Sequence, residues 1–297
     1  MKITDVLIPS PLYELHDPFI DRAGVRLLVK RDDLIHPVIS GNKWRKLKYN
    51  ILEALNRGAS AIISFGGAYS NHLYALATFG KKADIKTIGL IRGEELNPES
   101  STTLQHCFEE GMELGFLSRT EYRLKDEGTY FKKRMADDPN LFYVPEGGTN
   151  AFALTGVGEI VDECQQAGFH PDYYVTAAGT GGTAAGLWVK KQNVIAVAVL
   201  KNAGFLENDI KKWNSSTEAS GHLDLQKDYH FGGYGKYTAE LLQFIADFEN
   251  RYNIPLEHVY TGKMFYGLFD LIKRGYFAKG TVLMAVHTGG LQGKLKP

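Results

Sequence analysis

The chain has no charge excess. Lys and Arg number 34 and Asp and Glu number 34, so the formal net charge at pH 7 is zero. A protein that gathers phosphates or anionic headgroups by bulk attraction is basic, so neither a nucleic-acid partner nor a membrane partner is expected. Cysteine is scarce as well. Cys107 and Cys164 are the only two; they give no disulfide framework and no metal-ligand spacing, and no metal is expected. Long apolar runs are also missing. The opening MKITDVLIPSPLYEL holds no such stretch, so neither a signal peptide nor a membrane span is expected, and the cytoplasm is the expected compartment.

What is present is an ordinary globular composition of 297 residues, 44% hydrophobic and 23% charged, long enough for two domains or lobes. Short apolar runs at 60–65, 86–91, 140–144, 172–178, 193–200 and 281–287 read as buried strands. Helical patterns occupy 73–81, 102–114, 151–167, 183–191, 238–252 and 264–274 between them. Alternation of this kind predicts an α/β protein with mostly parallel sheets and helices on both faces.

The segment SGNKWRKLKYN at 40–50 concentrates basic residues: Lys43, Arg45, Lys46 and Lys48. Trp44, Leu47, Ile51 and Leu55 recur at helical spacing, with Gly58 as the stop. Arg45, Lys46 and Lys48 fall off that stripe and are expected on a solvated face. Lys43 opens the helix, where the macrodipole disfavours an ammonium and lowers its pKa. A lysine that loses its proton easily is a candidate amine nucleophile, although a plain surface lysine fits the same position.

Three strand ends run into glycine-rich turns: FGGAYSNH at 65–72, AAGTGGTAAG at 177–186 and HTGG at 287–290. Ligands of open parallel sheets gather at such loops. The middle loop offers backbone N–H groups and the hydroxyls of Thr180 and Thr183, which suit a phosphate. It is not a P-loop, because no Gly-Lys-Ser/Thr follows. Gly179, Gly181 and Ala184 match a dinucleotide fingerprint in part, but Leu200 and Lys201 stand where the acidic ribose ligand belongs. A tight turn with no ligand also fits. In the first loop Ser70 either caps the next helix or serves as a hydroxyl nucleophile.

SGNKWRKLKY, SFGGAYSNH, PEGGTN, GTGGTAAG, GGYGK, YTGKMFYGL and HTGG together resemble the pyridoxal-phosphate enzymes of the 1-aminocyclopropane-1-carboxylate deaminase and D-cysteine desulfhydrase family. The motifs stand in the family's order over nearly the whole chain. The resemblance implies fold type II, the fold of the tryptophan synthase β-subunit: two parallel-sheet α/β domains with the cofactor between them. Residues 1–50 and 151–297 would form the large cofactor-binding domain and 51–150 the small inserted one. It implies that Lys43 carries pyridoxal 5'-phosphate as a Schiff base. Asn42 and Asn71 would lie beside the cofactor, with Thr180, Gly181, Gly182 and Thr183 forming the phosphate cup. Ser70 would lie near the substrate carboxylate, and Tyr234 and Tyr260 would face the substrate as acid or base. Thr261 and Thr288 would lie close to the pyridine nitrogen, where the deaminases have glutamate after the tyrosine and the desulfhydrase branch has threonine.

Two features depart from the family. Trp44 stands where a small polar residue is usual, and the segment 200–230 does not read like the family's insert. The implied activity is β-elimination or deamination of a small amino acid to a 2-oxo acid and ammonia by a homodimer. D-Cysteine desulfhydrase-like chemistry is favoured over 1-aminocyclopropane-1-carboxylate deamination. Two other classes stay open: a dinucleotide-dependent oxidoreductase, and a non-catalytic protein that binds a phosphate ligand.

Overall fold

A computed structural model describes residues 6–39, 41–213 and 221–295. The strands and helices follow one another as β1 (Leu12–Leu15), α1 (Pro18–Ala23), β2 (Arg26–Lys30), α2 (Asn42–Asn56), β3 (Ala61–Gly66), α3 (Asn71–Ala83), β4 (Lys86–Arg92) and α4 (Thr102–Glu109). Then come β5 (Glu113–Leu117), α5 (Arg119–Leu124), α6 (Thr129–Asp137), β6 (Leu141–Tyr143), α7 (Ala151–Gln166), β7 (Tyr173–Ala178) and α8 (Gly182–Trp188). The chain closes with β8 (Val194–Ala198), α9 (Phe205–Lys211), β9 (Leu223–Gln226), α10 (Ala239–Tyr252), α11 (Thr261–Lys273) and β10 (Val282–Val286).

The chain divides into two compact units, one built mainly from Lys43–Ala153, the other from Leu7–Ile35 and the chain from Leu154 onward. The first has a parallel four-stranded sheet in the order β5-β4-β3-β6. The second has a six-stranded sheet in the order β1-β2-β10-β7-β8-β9, parallel except where β1 runs against β2. The expected α/β class with two mostly parallel sheets is what the structure has. Strands β3 and β8 are buried at every residue, as continuous apolar runs in a covered parallel sheet must be. In the larger unit one apolar cluster joins β7, β8 and β10 to α10 and α11, through Val175, Ile195, Phe248, Phe265 and Leu283. A second lies around α7 and α8, with Val157, Ile160, Leu187 and Ala196. Phe65 and Phe131, with Tyr143 packed against them, anchor the smaller unit.

The structure departs from the sequence pattern at defined places. The helix expected over 102–114 stops at Glu109, because Gly111 turns left-handed (φ +86°) and the chain re-enters a sheet as β5. Strands β1 and β9 are four-residue edges with mixed polarity, too short to announce themselves. Strand β2 was hidden by its charged ends; Lys30 is nevertheless fully buried, donating to Glu163 Oε2 and to the Ser10 carbonyl, each at 2.6 Å. Of the divergent segment 200–230, residues 214–220 lie outside the described residues, and the rest supplies α9 and β9. Among the described residues, no helix is long and apolar enough to cross a membrane, and no cluster of His, Cys, Asp and Glu is arranged to hold a metal.

Candidate active site

The expected site residues fall into two groups, one in each unit. In the smaller unit Lys43 lies in the first turn of α2 and is half-buried. Its pKa is lowered to about 8, as the sequence suggested, but burial is the cause. The basic residues after it correct a second expectation: Arg45 is 0% and Lys46 2% exposed, so neither lies on a solvated face. The apolar stripe of α2 underestimates how much of that helix is covered. Lys46 Nζ donates to the Gly147 carbonyl at 3.2 Å and to Thr149 Oγ1 at 3.3 Å. Its pKa is pushed well down by burial and then by Lys43. Trp44 is a core residue, stacked on Phe79 at 5.1 Å, so the bulky departure beside Lys43 is turned into the apolar interior.

His72 completes this group. Its Nε2 lies 2.8 Å from Ser64 Oγ, and its buried Nδ1 has no partner. Burial and the two lysines lower its pKa well below the usual value, so the ring is neutral. A side chain at Gly148 would sit 3.1 Å from the His72 ring; the PEGGTN turn needs its glycine for that approach. Ser70 is the N-cap of α3, accepting from Leu73 N at 3.2 Å. Its capping use is therefore real, and Asn71 is the first residue of that helix.

In the larger unit the turn before the lysine is locked to HTGG. Gly41 has φ +62°, and a Cβ there would lie 1.8 Å from the Thr288 carbonyl oxygen. Asn42 N donates to that same oxygen at 3.2 Å, while Asn42 Nδ2 donates to Thr183 Oγ1 at 3.0 Å. Asn42 thus bonds to both Thr183 and Thr288. Ser40 lies outside the described residues. In the glycine loop, Gly181 is left-handed at φ +74° and caps α8, Thr180 is exposed and Thr183 buried. The Tyr260 ring closes on the loop, 3.0 Å from where a Gly179 Cβ would be. Tyr260 Oη lies 3.4 Å from Tyr234 Oη, with the rings edge to face. Tyr234 is 51% exposed.

Two residues left out of the sequence reading shape this group. Glu257 is buried before α11 and takes N–H groups from Val259, Tyr260 and Thr261, at 2.6 to 2.8 Å for the shortest contact of each. It also accepts the Thr261 hydroxyl at 3.0 Å, while Thr261 Oγ1 accepts from Glu257 N at 3.0 Å. Burial raises the Glu257 pKa against these donors. Glu257 lies four residues ahead of α11 and not at its N-cap, Tyr260, so no ordinary capping signal in the sequence marks it. The second is Lys263, considered below. His287, before Thr288, is buried; it lies 2.7 Å from the Pro255 carbonyl and accepts from Gly289 N, and burial lowers its pKa.

An amine relieved of its proton near pH 8 suits imine formation with an aldehyde. A loop cleared of side chains and flanked by threonines suits a phosphate. The residues present therefore fit a phosphorylated aldehyde cofactor. The sequence matches the profile of the pyridoxal-phosphate dependent enzyme family over residues 3–289, and the chain belongs to that family. Within it, a Pyrococcus abyssi protein provisionally named 1-aminocyclopropane-1-carboxylate deaminase is 31% identical, with 98% of this chain and 92% of that one covered. The mitochondrial bifunctional D-cysteine desulfhydrase/1-aminocyclopropane-1-carboxylate deaminase of Arabidopsis thaliana is 28% identical, with 96% and 77% covered. The solved structure of an ACC deaminase homologue superposes with a TM-score of 0.81 at 30% identity, covering 97% of this chain and 91% of that one. The protein is thus a fold type II enzyme of the deaminase and desulfhydrase family, and its cofactor is pyridoxal phosphate.

Proposed function

We propose that the enzyme eliminates a β-substituent from a small amino acid, in the manner of a D-cysteine desulfhydrase, and releases a 2-oxo acid and ammonia. Bound pyridoxal phosphate supplies an electron sink for the carbanion left when a proton is removed. Lys43 would hold the cofactor through Nζ and, when released, carry a proton to or from the substrate; its lowered pKa suits both tasks. Thr180, Gly181, Gly182 and Thr183 would receive the phosphate, with Asn42 orienting the Thr183 hydroxyl. Asn71 would sit beside the ring hydroxyl. Ser70 would meet the substrate carboxylate while capping α3. Tyr260 and Tyr234 would flank the substrate and move a proton at the departing group.

The observation that carries the choice of reaction is Thr261. It follows Tyr260 where the deaminases carry glutamate, and its hydroxyl is tied to Glu257. Glu257 is the carboxylate next to it, and it is already engaged by the start of α11. With Thr288 as the other neighbour, no carboxylate would be left to hold a proton on the pyridine nitrogen, and the sink would be weak. Opening a cyclopropane lacks a good leaving group and needs a strong sink; expelling thiolate or chloride needs less. The names of the relatives favour 1-aminocyclopropane-1-carboxylate as the second reading. Pyruvate and 2-oxobutyrate formation from D-cysteine, β-chloro-D-alanine and 1-aminocyclopropane-1-carboxylate, measured side by side on one preparation, decides. Pyruvate is expected to form faster; faster 2-oxobutyrate from the cyclopropane would overturn the choice.

A further inference from the structure

Tyr234 sits in a turn whose apolar hold is Phe231, packed edge to face on Tyr266 at 4.9 Å. Phe231, Gly232, Gly233 and Gly235 all have positive φ, at +50°, +93°, +122° and +67°. Phe231 is not glycine, so its backbone is strained there. Tyr234 itself is half exposed, and among the described residues its one ring contact is with Tyr260. Phe231 and the His230 ring, whose Nδ1 accepts from Gly232 N, hold the start of the turn, but its carbonyls point to a polar anchor from elsewhere. The buried end of Lys263, on α11, provides one: Nζ donates to the His230 carbonyl at 2.9 Å and to the Gly233 carbonyl at 2.8 Å. Those oxygens also accept from Gly233 N and Lys236 N, so one ammonium joins both hydrogen bonds that close the turn. Lys263 lies two residues after Thr261 and three after Tyr260, on the helix whose start Glu257 holds.

We infer that Lys263 is the positioning residue for Tyr234: its ammonium ties the 230–235 turn to the first turn of α11, and so sets the Tyr234 hydroxyl against that of Tyr260. Lys263 spends its donors on two main-chain carbonyls of a turn whose one exposed aromatic is a candidate acid or base. The inference rests on the proposed role of Tyr234, but the tether itself does not.

The test uses the holoenzyme and Lys263→Met, which keeps the length and apolar bulk of the side chain and removes its donors. Hydrogen exchange is followed on peptides covering 230–236 and 264–273. The turn is expected to exchange at least about tenfold faster while α11 keeps its protection. Unchanged protection of the turn, or equal loosening of both peptides, overturns the tether. Turnover of D-cysteine is then measured for Lys263→Met, Tyr234→Phe and the double variant. If Lys263 acts through Tyr234, the double variant has the kcat of Tyr234→Phe alone; multiplied losses overturn the positioning role. A Tyr234→Phe enzyme as fast as wild type would count against the role of Tyr234 and leave the exchange result to decide the tether. Should Lys263→Met fail to fold, Lys263→Gln, which keeps an amide donor, undergoes the same measurements. A smaller loosening of the turn is expected, and an unloosened turn again overturns the tether.

Discussion

The turn after β3 and the turn after β7 have the same outline of parallel strand, glycines, hydroxyls and helix, yet they use their hydroxyls in different ways. After β3, Ser70 accepts from Leu73 N and caps α3. Gly66 is glycine because a Cβ there would lie 2.6 Å from both Leu73 and Ser70. The hydroxyl of that turn is used within the turn itself, although Ser101 Oγ reaches in from α4 to donate to the Ala68 carbonyl. After β7, the Thr183 hydroxyl is held by Asn42, a residue 141 positions away, and Gly179 makes room for the Tyr260 ring. That turn is held from outside, with its hydroxyl oriented by another segment. A strand-glycine-helix pattern therefore identifies a place where a ligand fits. Partners distant in sequence decide which place is prepared for one.

The largest expected effect tests which unit carries the covalent link. Lys43→Ala should abolish the borohydride-reducible cofactor adduct and essentially all turnover, read by the visible spectrum and by peptide mapping after reduction. A label retained on Lys46 would move the nucleophile one turn along α2. Wild-type enzyme freed of cofactor sharpens the point. Burial lowers the Lys43 pKa to about 8, so the neutral amine is scarce below that pH and dominant above it. The rate of adduct formation should climb with pH and level off above about 8, instead of climbing towards the ~10.4 of an ordinary lysine. A rise that continues to pH 10 would show an exposed, charged lysine.

Next in size, Thr183→Ala removes a hydroxyl from the turn after β7. One hydrogen bond to a charged group is worth ~1.5–3 kcal/mol, so the cofactor Kd should rise by about 10- to 140-fold, measured by equilibrium dialysis. Unchanged affinity in the Thr180→Ala/Thr183→Ala double variant would place the phosphate elsewhere and remove the contrast between the turns. The smallest effect belongs to Ser70. As an N-cap it should cost ~0.5–2 kcal/mol of stability on replacement by alanine and only a few tenths on replacement by glycine. Thermal unfolding of the two variants checks this. If both variants lose turnover alike while only alanine loses stability, Ser70 acts on the substrate as well as on the helix.

The same contrast shows what the sequence could reveal. Strands β3, β7, β8 and β10 are buried apolar runs with only one reading, so the two parallel sheets were legible. Strand β2 was not, because its pattern ends in Lys30, and a lysine reads as exposed until Glu163, 133 residues later, is known to meet it. Arg45 and Lys46 misled for the same reason: periodicity locates a helix's apolar stripe but not the polar groups that bury its flanks. The order of the motifs indicated the family. It did not reveal the unpartnered Nδ1 of His72, nor that the Thr261 hydroxyl is committed to Glu257, since both depend on side-chain geometry.

Gly41 has a wider consequence. The missing side chain lets the Thr288 carbonyl come so close that any substituent would occupy the same space. Two stretches nearly 250 residues apart in the sequence therefore share a single volume, and neither can be redesigned alone. HTGG leaves little to vary, since His287 and Thr288 are buried and the two glycines after them have positive φ, so its backbone path has to be kept. The glycine ahead of the lysine works as a gauge of that path: any change that shifts it would also shift Asn42 and, one residue on, the amine itself.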